Sequence, residues 1–494
     1  MARIHIIYPD IGSGYYPNLN HGIAFLVGSL RKNSHFVSFH HITSPESTEQ
    51  VVLQTLCNEP DVVGFSLCHN QSYLAEQYVR AIRKVRENIF LIAGGIFPTT
   101  DPNEAFKHLD VDAVAIGEAE YNLVNLMNAI PQGREAVYQT EGFYFRIPNG
   151  EVVKRKIPPL NPDLSKLPWP DYSIFDVNRV LKESGGWLTM ILSRGCPFNC
   201  TYCCNSVLMN LYPDSKDYFR RPSVEHAIRL IKHNLTYAIG VKGISFDDDL
   251  LCQDKKWFLD FSRLYNHEIG LPYTMNARIE TLNEDIIHAL KNSGCRIVNV
   301  GVESGNEWVR KNLLNRNYSN TQMEAAFSSL RAAGILTSSY NMIGLPFETR
   351  DQMLDTLRIN KKLRPYRGAC FYFFPYPKTR LYEICREFHL LRADYEKLRG
   401  YFGSPGIILT HCRPKDARRI CDRLRLLLHL NRILTNIRLR YIGSLLYYCM
   451  IPFASYISRL LVGSSGLKSM IRAFVYRTVP SSIANEKQKE GKIQ

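Results

Sequence analysis

The 494-residue chain is too long for one ordinary hydrophobic core, so two or three domains are expected. Its 45% hydrophobic and 22% charged residues belong to a folded globular protein and exclude a low-complexity one. The net charge of +15 suggests a nucleic-acid partner until its distribution is read. Between residues 411 and 480, thirteen Lys or Arg face two Asp or Glu, a surplus of eleven, and the rest is nearly neutral.

The start, MARIHIIYPD, has no basic flank, long apolar run or small-residue cleavage site, so a cytoplasmic protein is expected. Thirteen cysteines in a reducing compartment argue against a disulfide framework. Cys57, Cys68, Cys252, Cys295, Cys370, Cys385, Cys412, Cys421 and Cys449 are scattered, and each reads as a small buried hydrophobe.

The first stretch alternates predicted strands and helices. Strands are expected over 3–8, 36–40, 61–66, 89–93 and 111–116, with helices over 22–30, 73–86 and 120–129. The short apolar run Asp61-Val-Val-Gly-Phe-Ser66 suits a parallel strand buried on both faces. Repeated βα units imply a doubly wound α/β sheet, with ligands beyond the strands' carboxyl ends. Residues 136–185 read as a connector after a first domain over 1–135. It carries a hairpin over 142–146 and 152–156 around Asn149-Gly150, then the Pro-rich pieces at 158–162 and 167–171.

The alternation resumes at Trp187. Strands are predicted over 188–192, 243–247, 273–277, 297–302, 337–343 and 368–374, and helices over 224–235, 254–265 and 284–292. Six strands with helices between them suit a partial parallel barrel over 186–400, with its chemistry at the strands' carboxyl ends. The remainder, 401–494, reads as a basic helical region, with helices over 418–430 and 432–440. Tyr441–Ser458 carries no charge but is interrupted by Pro452 and flanked by Arg438, Arg440 and Arg459. It reads as a helical cap on the barrel or as a peripheral helix facing anionic lipid.

One cluster stands apart: Ser193-Arg-Gly-Cys196-Pro-Phe-Asn-Cys200-Thr-Tyr-Cys203-Cys204, directly after an apolar strand. Three thiolates on one loop can hold three corners of a [4Fe–4S] cube and leave the fourth iron open. Zinc is the competing metal, but a structural zinc site needs a fourth ligand that no nearby pair supplies.

The Cys-x-x-x-Cys-x-aromatic-Cys run resembles the signature of radical SAM enzymes, and the resemblance covers roughly residues 186–390. It implies that S-adenosylmethionine chelates the open iron and is cleaved reductively to a 5′-deoxyadenosyl radical. An external donor of the flavodoxin or ferredoxin type is implied with it. Tyr202 matches the aromatic position near the adenine, and Cys204 is an extra, inert cysteine. By the same resemblance, Asp248 and Asp249 end a strand near the adenosylmethionine. Arg278, Glu303, Gly344 and Pro346 match further cofactor positions in Asn276-Ala-Arg278, Glu303-Ser-Gly305 and Gly344-Leu-Pro346.

The first domain resembles the cobalamin-binding Rossmann-like domain that precedes many radical SAM barrels. Ser66 and the pair Gly94-Gly95 match its Ser…Gly-Gly pattern, where the corrin's nucleotide tail enters. The Asp-x-His-x-x-Gly motif that supplies a lower cobalt ligand is absent, and His21 and His69 read as structural. A cobalamin-dependent enzyme that transfers a methyl group to an unactivated centre of a small or lipid-like molecule is therefore expected, with no catalytic side chain assigned. A cobalamin-dependent cyclase or oxidase, a cobalamin-free radical SAM enzyme and a cobalamin-binding sensor are the alternatives. No nucleic-acid partner is expected.

Overall fold

The computed structural model describes residues 1–11, 17–212, 218–395 and 404–436. The chain opens with β1 (Arg3–Pro9), α1 (His21–Lys32), β2 (Phe36–Ile42), α2 (Thr48–Leu56), β3 (Val62–Ser66) and α3 (Ser72–Val85). It continues with β4 (Phe90–Gly94), α4 (Ile96–Thr100), α5 (Pro102–His108), β5 (Ala113–Ala115), α6 (Glu120–Ala129) and α7 (Arg134–Val137). The five strands pair in parallel in the order β2-β1-β3-β4-β5. β3 and β4, Val-Val-Gly-Phe-Ser and Phe-Leu-Ile-Ala-Gly, are buried almost throughout because helices cover both faces. On one face Val63, Phe65 and Leu91 pack against Tyr78, Val79 and Ile82 of α3. On the other, Ile4, Ile6 and Ile92 meet Ile23 and Val27 of α1 and Leu123 of α6.

The hairpin β6 (Phe143–Arg146) and β7 (Val152–Lys154) is antiparallel to β5 and extends the first sheet to seven strands. The Pro-rich piece beyond it lies against α1. Asp171 N donates to the Ala24 carbonyl at 2.9 Å, and Arg31 pairs with the Asp171 carboxylate at 2.6 Å. Gly28 allows this approach: a Cβ there would fall 1.9 Å from the Trp169 carbonyl oxygen. The helix α8 (Val177–Glu183) then leads into the second sheet.

That sheet runs β8 (Trp187–Met190), α9 (Cys204–Met209), α10 (Val224–Leu235), β9 (Gly243–Phe246), α11 (Lys255–Glu268), β10 (Tyr273–Ala277) and α12 (Glu284–Asn292). It ends with β11 (Cys295–Glu303), α13 (Asn320–Ala332), β12 (Leu336–Ile343), α14 (Arg350–Leu363) and β13 (Arg367–Tyr372). Six parallel strands pair strictly in chain order, the partial barrel the alternation implied. The helices start where the sequence supplies caps. Ser223, Asp254 and Asn283 each accept a first-turn N–H, and Ser319/Gln322 and Thr349/Gln352 form capping boxes. Ile244, Phe246, Met275 and Val298 face the helices, whereas Asn276 and Asn299 bond each other on the inner face.

After α15 (Arg380–Glu387), the final described element is α16 (Pro414–Asn436). Two helices broken near Asn431 were expected; one continuous helix is found through that point. Asn431 is buried on the same face as Leu424, Leu427 and Leu428, so burial carries the helix past it. Ala417, Ile420 and Cys421 pack it onto β13 and α14. The stretch 441–458 and its flanking Arg438, Arg440 and Arg459 lie outside the described residues. Among the described residues no helix is long and apolar enough to cross a membrane.

Of the scattered cysteines, Cys252, Cys295, Cys370, Cys385, Cys412 and Cys421 are buried as expected, Cys68 is half-buried, and Cys57 is exposed at the end of α2. Cys449 lies outside the described residues. The α2 helix itself escaped the sequence reading because it buries only Val51 and Thr55, too few for an apolar period.

Gly28→Ala is expected to force α1 and the connector apart at a cost of about 1–3 kcal/mol. A fall in Tm, with faster proteolysis within residues 160–175, would register it; an unchanged Tm would show that the contact is not needed.

Candidate functional site

Beyond β8 the chain turns into the cysteine loop, and the turn is held from inside the barrel. The N–H groups of Leu192 and Ser193 donate to the Asp248 carboxylate, as does the Ser193 hydroxyl at 2.5 Å. Asp248 is completely buried, and burial pushes its carboxyl up to about 6 despite these donors. The structure therefore places Asp248, expected at the adenosylmethionine, beneath the loop and not on its open side. Asp249 is the exposed neighbour, held by Asn205 Nδ2 at 2.9 Å.

Arg194, two residues before Cys196, crosses to the first domain. Its guanidinium reaches Glu120 at 2.5 Å and Glu118 at 3.2 Å, and Arg220 also clasps Glu118. Burial opposes ionisation of Glu118, but the two arginines outweigh it and hold its carboxyl below the usual range. Gly195 follows at φ +79°, with its Cα against the Tyr218 backbone, where no side chain fits.

Cys200 is buried, and Cys196, Cys203 and Cys204 are half-buried. Arg278, ending β10, donates from Nη1 to Cys200 Sγ at 3.1 Å; its guanidinium lies 3.7 Å over the Phe198 ring and pairs with Glu280 at 2.5 Å. Burial pushes the Cys196 thiol up to about 12 and raises Cys200, against the pull of Arg316 and Arg278. A hydrogen bond from Cys204 lowers Cys203. Cys204, read as inert, thus touches the third thiol. Among the described residues no three His, Cys, Asp or Glu converge tightly enough for a single ion. A cubane attaches each thiolate to a different iron and needs a wider spread, with cations nearby to offset the anionic cluster. Three cysteines with a guanidinium on one of them fit that group.

Around the loop stand the other strand ends. Arg316 Nη1 reaches the Tyr202 hydroxyl at 2.8 Å and Glu303 Oε1 at 2.6 Å. Glu303 sits at φ +60° beyond a bulge in β11, which turns its carboxylate toward Arg316. Gly301 makes the room: a Cβ there would lie 2.4 Å from Glu303 Oε1. Gly344 and Pro346 follow β12 in a buried turn whose N–H groups, from Gly344 and Leu345, donate to Glu348 Oε2 at 2.8 and 3.1 Å. Leu345 and Tyr202 share one apolar cluster.

Facing the loop, a cavity of about 350 Å³ opens at the carboxyl ends of the first sheet. Gly64, Ser66, Gly94 and Gly117 line it from one side, and Arg194 and Gly195 from the other. Gly95 borders it at φ +97°, where a Cβ would fall 2.7 Å from the Leu67 carbonyl oxygen. Side-chain-free strand ends and mainly apolar walls fit a bulky heterocyclic tail inserted into the sheet. His21 also lines the cavity, but its Nδ1 meets the Tyr172 hydroxyl at 2.6 Å and its Nε2 lies 3.4 Å from Asp247. His69 packs edge-on against Phe97, and burial lowers its imidazole to about 4.

The structure thus brings Tyr202, Arg278 and Glu303 together beside the cysteines, sets Gly344 and Pro346 in the turn after β12, and lines the cavity with Ser66, Gly94 and Gly95. The sequence reading missed Arg316 and the Glu118–Arg194 pair, since lone charges in loops carry no periodic signal. It also passed over Glu348; a glutamate three residues past a Gly-Leu turn was the available sign.

Burial pushes the Glu348 carboxyl up to about 8, and Oε1 has no partner among the described residues. Because this value lies above the unfolded one, the protonated group stabilises the fold at low pH, and that stability is lost as pH rises through 8. Glu348→Gln is expected to gain Tm relative to the parent between about pH 6 and pH 9. Parallel pH dependences would remove the assignment.

Two family models match the chain: the radical SAM superfamily over residues 190–359 and the B12 binding domain over 11–127. The chain is 28% identical over 373 residues to an uncharacterized methyltransferase of Pyrococcus horikoshii, covering 75% of this chain and 79% of that one. It is 24% identical over 470 residues to the anaerobic magnesium-protoporphyrin IX monomethyl ester cyclase of Cereibacter sphaeroides, covering 92% and 72%. Among solved structures, the radical S-adenosylmethionine methyltransferase TsrM of Kitasatospora setae superposes with TM-score 0.65 at 16% identity, over 79% of this chain and 77% of that one. The cobalamin-dependent S-adenosylmethionine radical enzyme OxsB gives 0.70 at 15%, over 92% and 75%. At such identities the structural likeness is one of fold. The chain thus carries a radical SAM domain, preceded by a B12 binding domain.

Proposed function

We propose that the protein is a cobalamin-dependent radical SAM methyltransferase acting on an unactivated centre of a small molecule. The observation that carries this reading is the continuity of the two sites. The cavity at the end of the first sheet is walled on its far side by Arg194 and Gly195, immediately before Cys196. Cys196, Cys200 and Cys203 hold a [4Fe–4S] cluster, and Arg278 supports Cys200. Tyr202, Glu303, Asp249 and the backbone of Gly344 and Pro346 border S-adenosylmethionine. Arg316 acts through Tyr202 and Glu303, and Asp248 through the loop it anchors. Ser66, Gly94 and Gly95 receive the cobalamin tail. The bound groups supply hydrogen-atom abstraction and methyl delivery, driven by an electron from a flavodoxin- or ferredoxin-type donor. The protein's own part is to bury the reacting atoms away from water and align them between the sheets.

Similarity to the magnesium-protoporphyrin cyclases favours a second reading, radical ring formation with the same cofactors. Products separate the two. Anaerobically reconstituted protein is expected to hold four iron, four sulfide and about one cobalt. With reductant it should form both 5′-deoxyadenosine and S-adenosylhomocysteine, and a Cys196→Ala, Cys200→Ala, Cys203→Ala triple variant should lose the deoxyadenosine by more than about 100-fold. Deoxyadenosine without S-adenosylhomocysteine would favour the cyclase reading, and absence of a cluster would overturn both.

A further inference from the structure

Below the cysteine loop, the inner face of the barrel carries polar side chains at one height. Asn276 is registered with Asn299, Asn299 with Ser338, and Ser338 with Arg367, across four successive strands. Asp247 continues this belt on the β9 side, two residues beyond Ser245, whose partner is Thr274. The inward direction follows from what the alternate residues do. Cys370 meets Cys421 of α16, a Cβ on Gly368 would approach Leu428, and Ser339 and Asn341 bond Asn360 of α14. Arg367 and Ser338 therefore face the lumen, as does Tyr340 one layer nearer the cysteines.

A chain of hydrogen bonds orients the belt. Asn276 Nδ2 donates to the Asp248 carbonyl at 2.9 Å, and Asn299 Nδ2 donates to Asn276 Oδ1 at 3.2 Å. That sequence of donors decides which way the Asn299 amide faces. Its Oδ1 is left without a partner among the described residues, although the residue is 8% exposed. A buried acceptor left unpaired destabilises the structure unless a ligand pairs it. Arg367, half-buried, has no carboxylate or hydrogen-bond partner among the described residues. Tyr340 is 39% exposed inside the barrel, within electrostatic reach of Arg367 on one side and Asp247 across the lumen. An acceptor without a donor, a cation with no carboxylate in contact and an accessible phenol, on the side of the lumen away from Asp247, describe a site for a ligand with the opposite groups.

We propose that this belt binds the substrate, which presents an oxyanion, a carboxylate or a phosphate, to Arg367 and Tyr340 and an adjacent O–H or N–H to Asn299 Oδ1. The proposal rests on the function above, since it places the substrate in the lumen beneath the cysteine loop. It makes Arg367 and Asn299 specificity-determining residues for a polar, anionic substrate and argues against an uncharged lipid.

The test labels arginines with phenylglyoxal in the full-length, cofactor-reconstituted protein and follows each by peptide mass spectrometry. Labelling of Arg367 is expected to slow roughly threefold or more with saturating inorganic phosphate or glycolate, and not with glycolamide or with chloride at equal ionic strength. Labelling of exposed Arg263 should not respond. Protection by glycolate identifies a carboxylic acid, and protection by phosphate alone identifies a phosphate ester. Protection by neither anion, or equal protection by glycolamide, overturns the proposal. Deoxyadenosine and S-adenosylhomocysteine measured on the same preparation report on the function separately. An unprotected Arg367 in protein that cleaves S-adenosylmethionine therefore refutes the belt alone.

Discussion

The site depends on one buried ion-pair network, Arg194 and Arg220 against Glu118 and Glu120. Arg194 belongs to the cysteine loop and both glutamates follow β5, so the network joins the end of the first sheet to the start of the three-cysteine motif. Charges this buried are tolerated only when paired, and each partner removed would leave an uncompensated ion. Their pairing fixes the cysteine loop against the cavity at the end of the first sheet. Glu118 and Arg194 line the cavity themselves, so the clamp is also part of its wall.

Both halves of the molecule use the same device. Parallel strands end together, and the loops beyond them are where side chains can converge without breaking the sheet. In the first sheet those ends are stripped to glycine, which opens a cavity. In the second they carry Arg278, which touches Cys200, Glu303, which reaches Tyr202 through Arg316, and the Gly344 turn. The strained positions fall here too: Glu303 in a left-handed conformation beyond a bulge, and Gly95 where no side chain fits. Away from the strand ends the outer face of the barrel is mainly apolar against its helices, with Ser339 and Asn341 bonding Asn360 of α14 among those contacts.

Much of the fold was legible because hydrophobic periodicity is local. β10, α10 and α12 have the boundaries the pattern implied. The three cysteines were legible because their spacing lies within one loop. α2 was not, since a helix that buries two residues has little period to read. The continuity of α16 through Asn431 was hidden as well, because burial against β13 outweighs the poor helix propensity of asparagine.

Asp248 and Asp249 show where local reading ends. They are adjacent and alike, and the sequence put both beside the cofactor. One is buried, taking the Leu192 and Ser193 N–H groups, and the other is exposed and held by Asn205, a difference made by the loop packed on them. The sequence alone determined the alternation of strands and helices, the cysteine spacing and the glycines at the strand ends, all set by neighbours a few residues apart. Only the tertiary structure decided that Arg194 meets Glu118, that Arg316 joins Tyr202 to Glu303, and that Asn299 and Arg367 share one level of the lumen. Those pairings depend on strand register and on how the two sheets meet, and neither is written in any short stretch of chain.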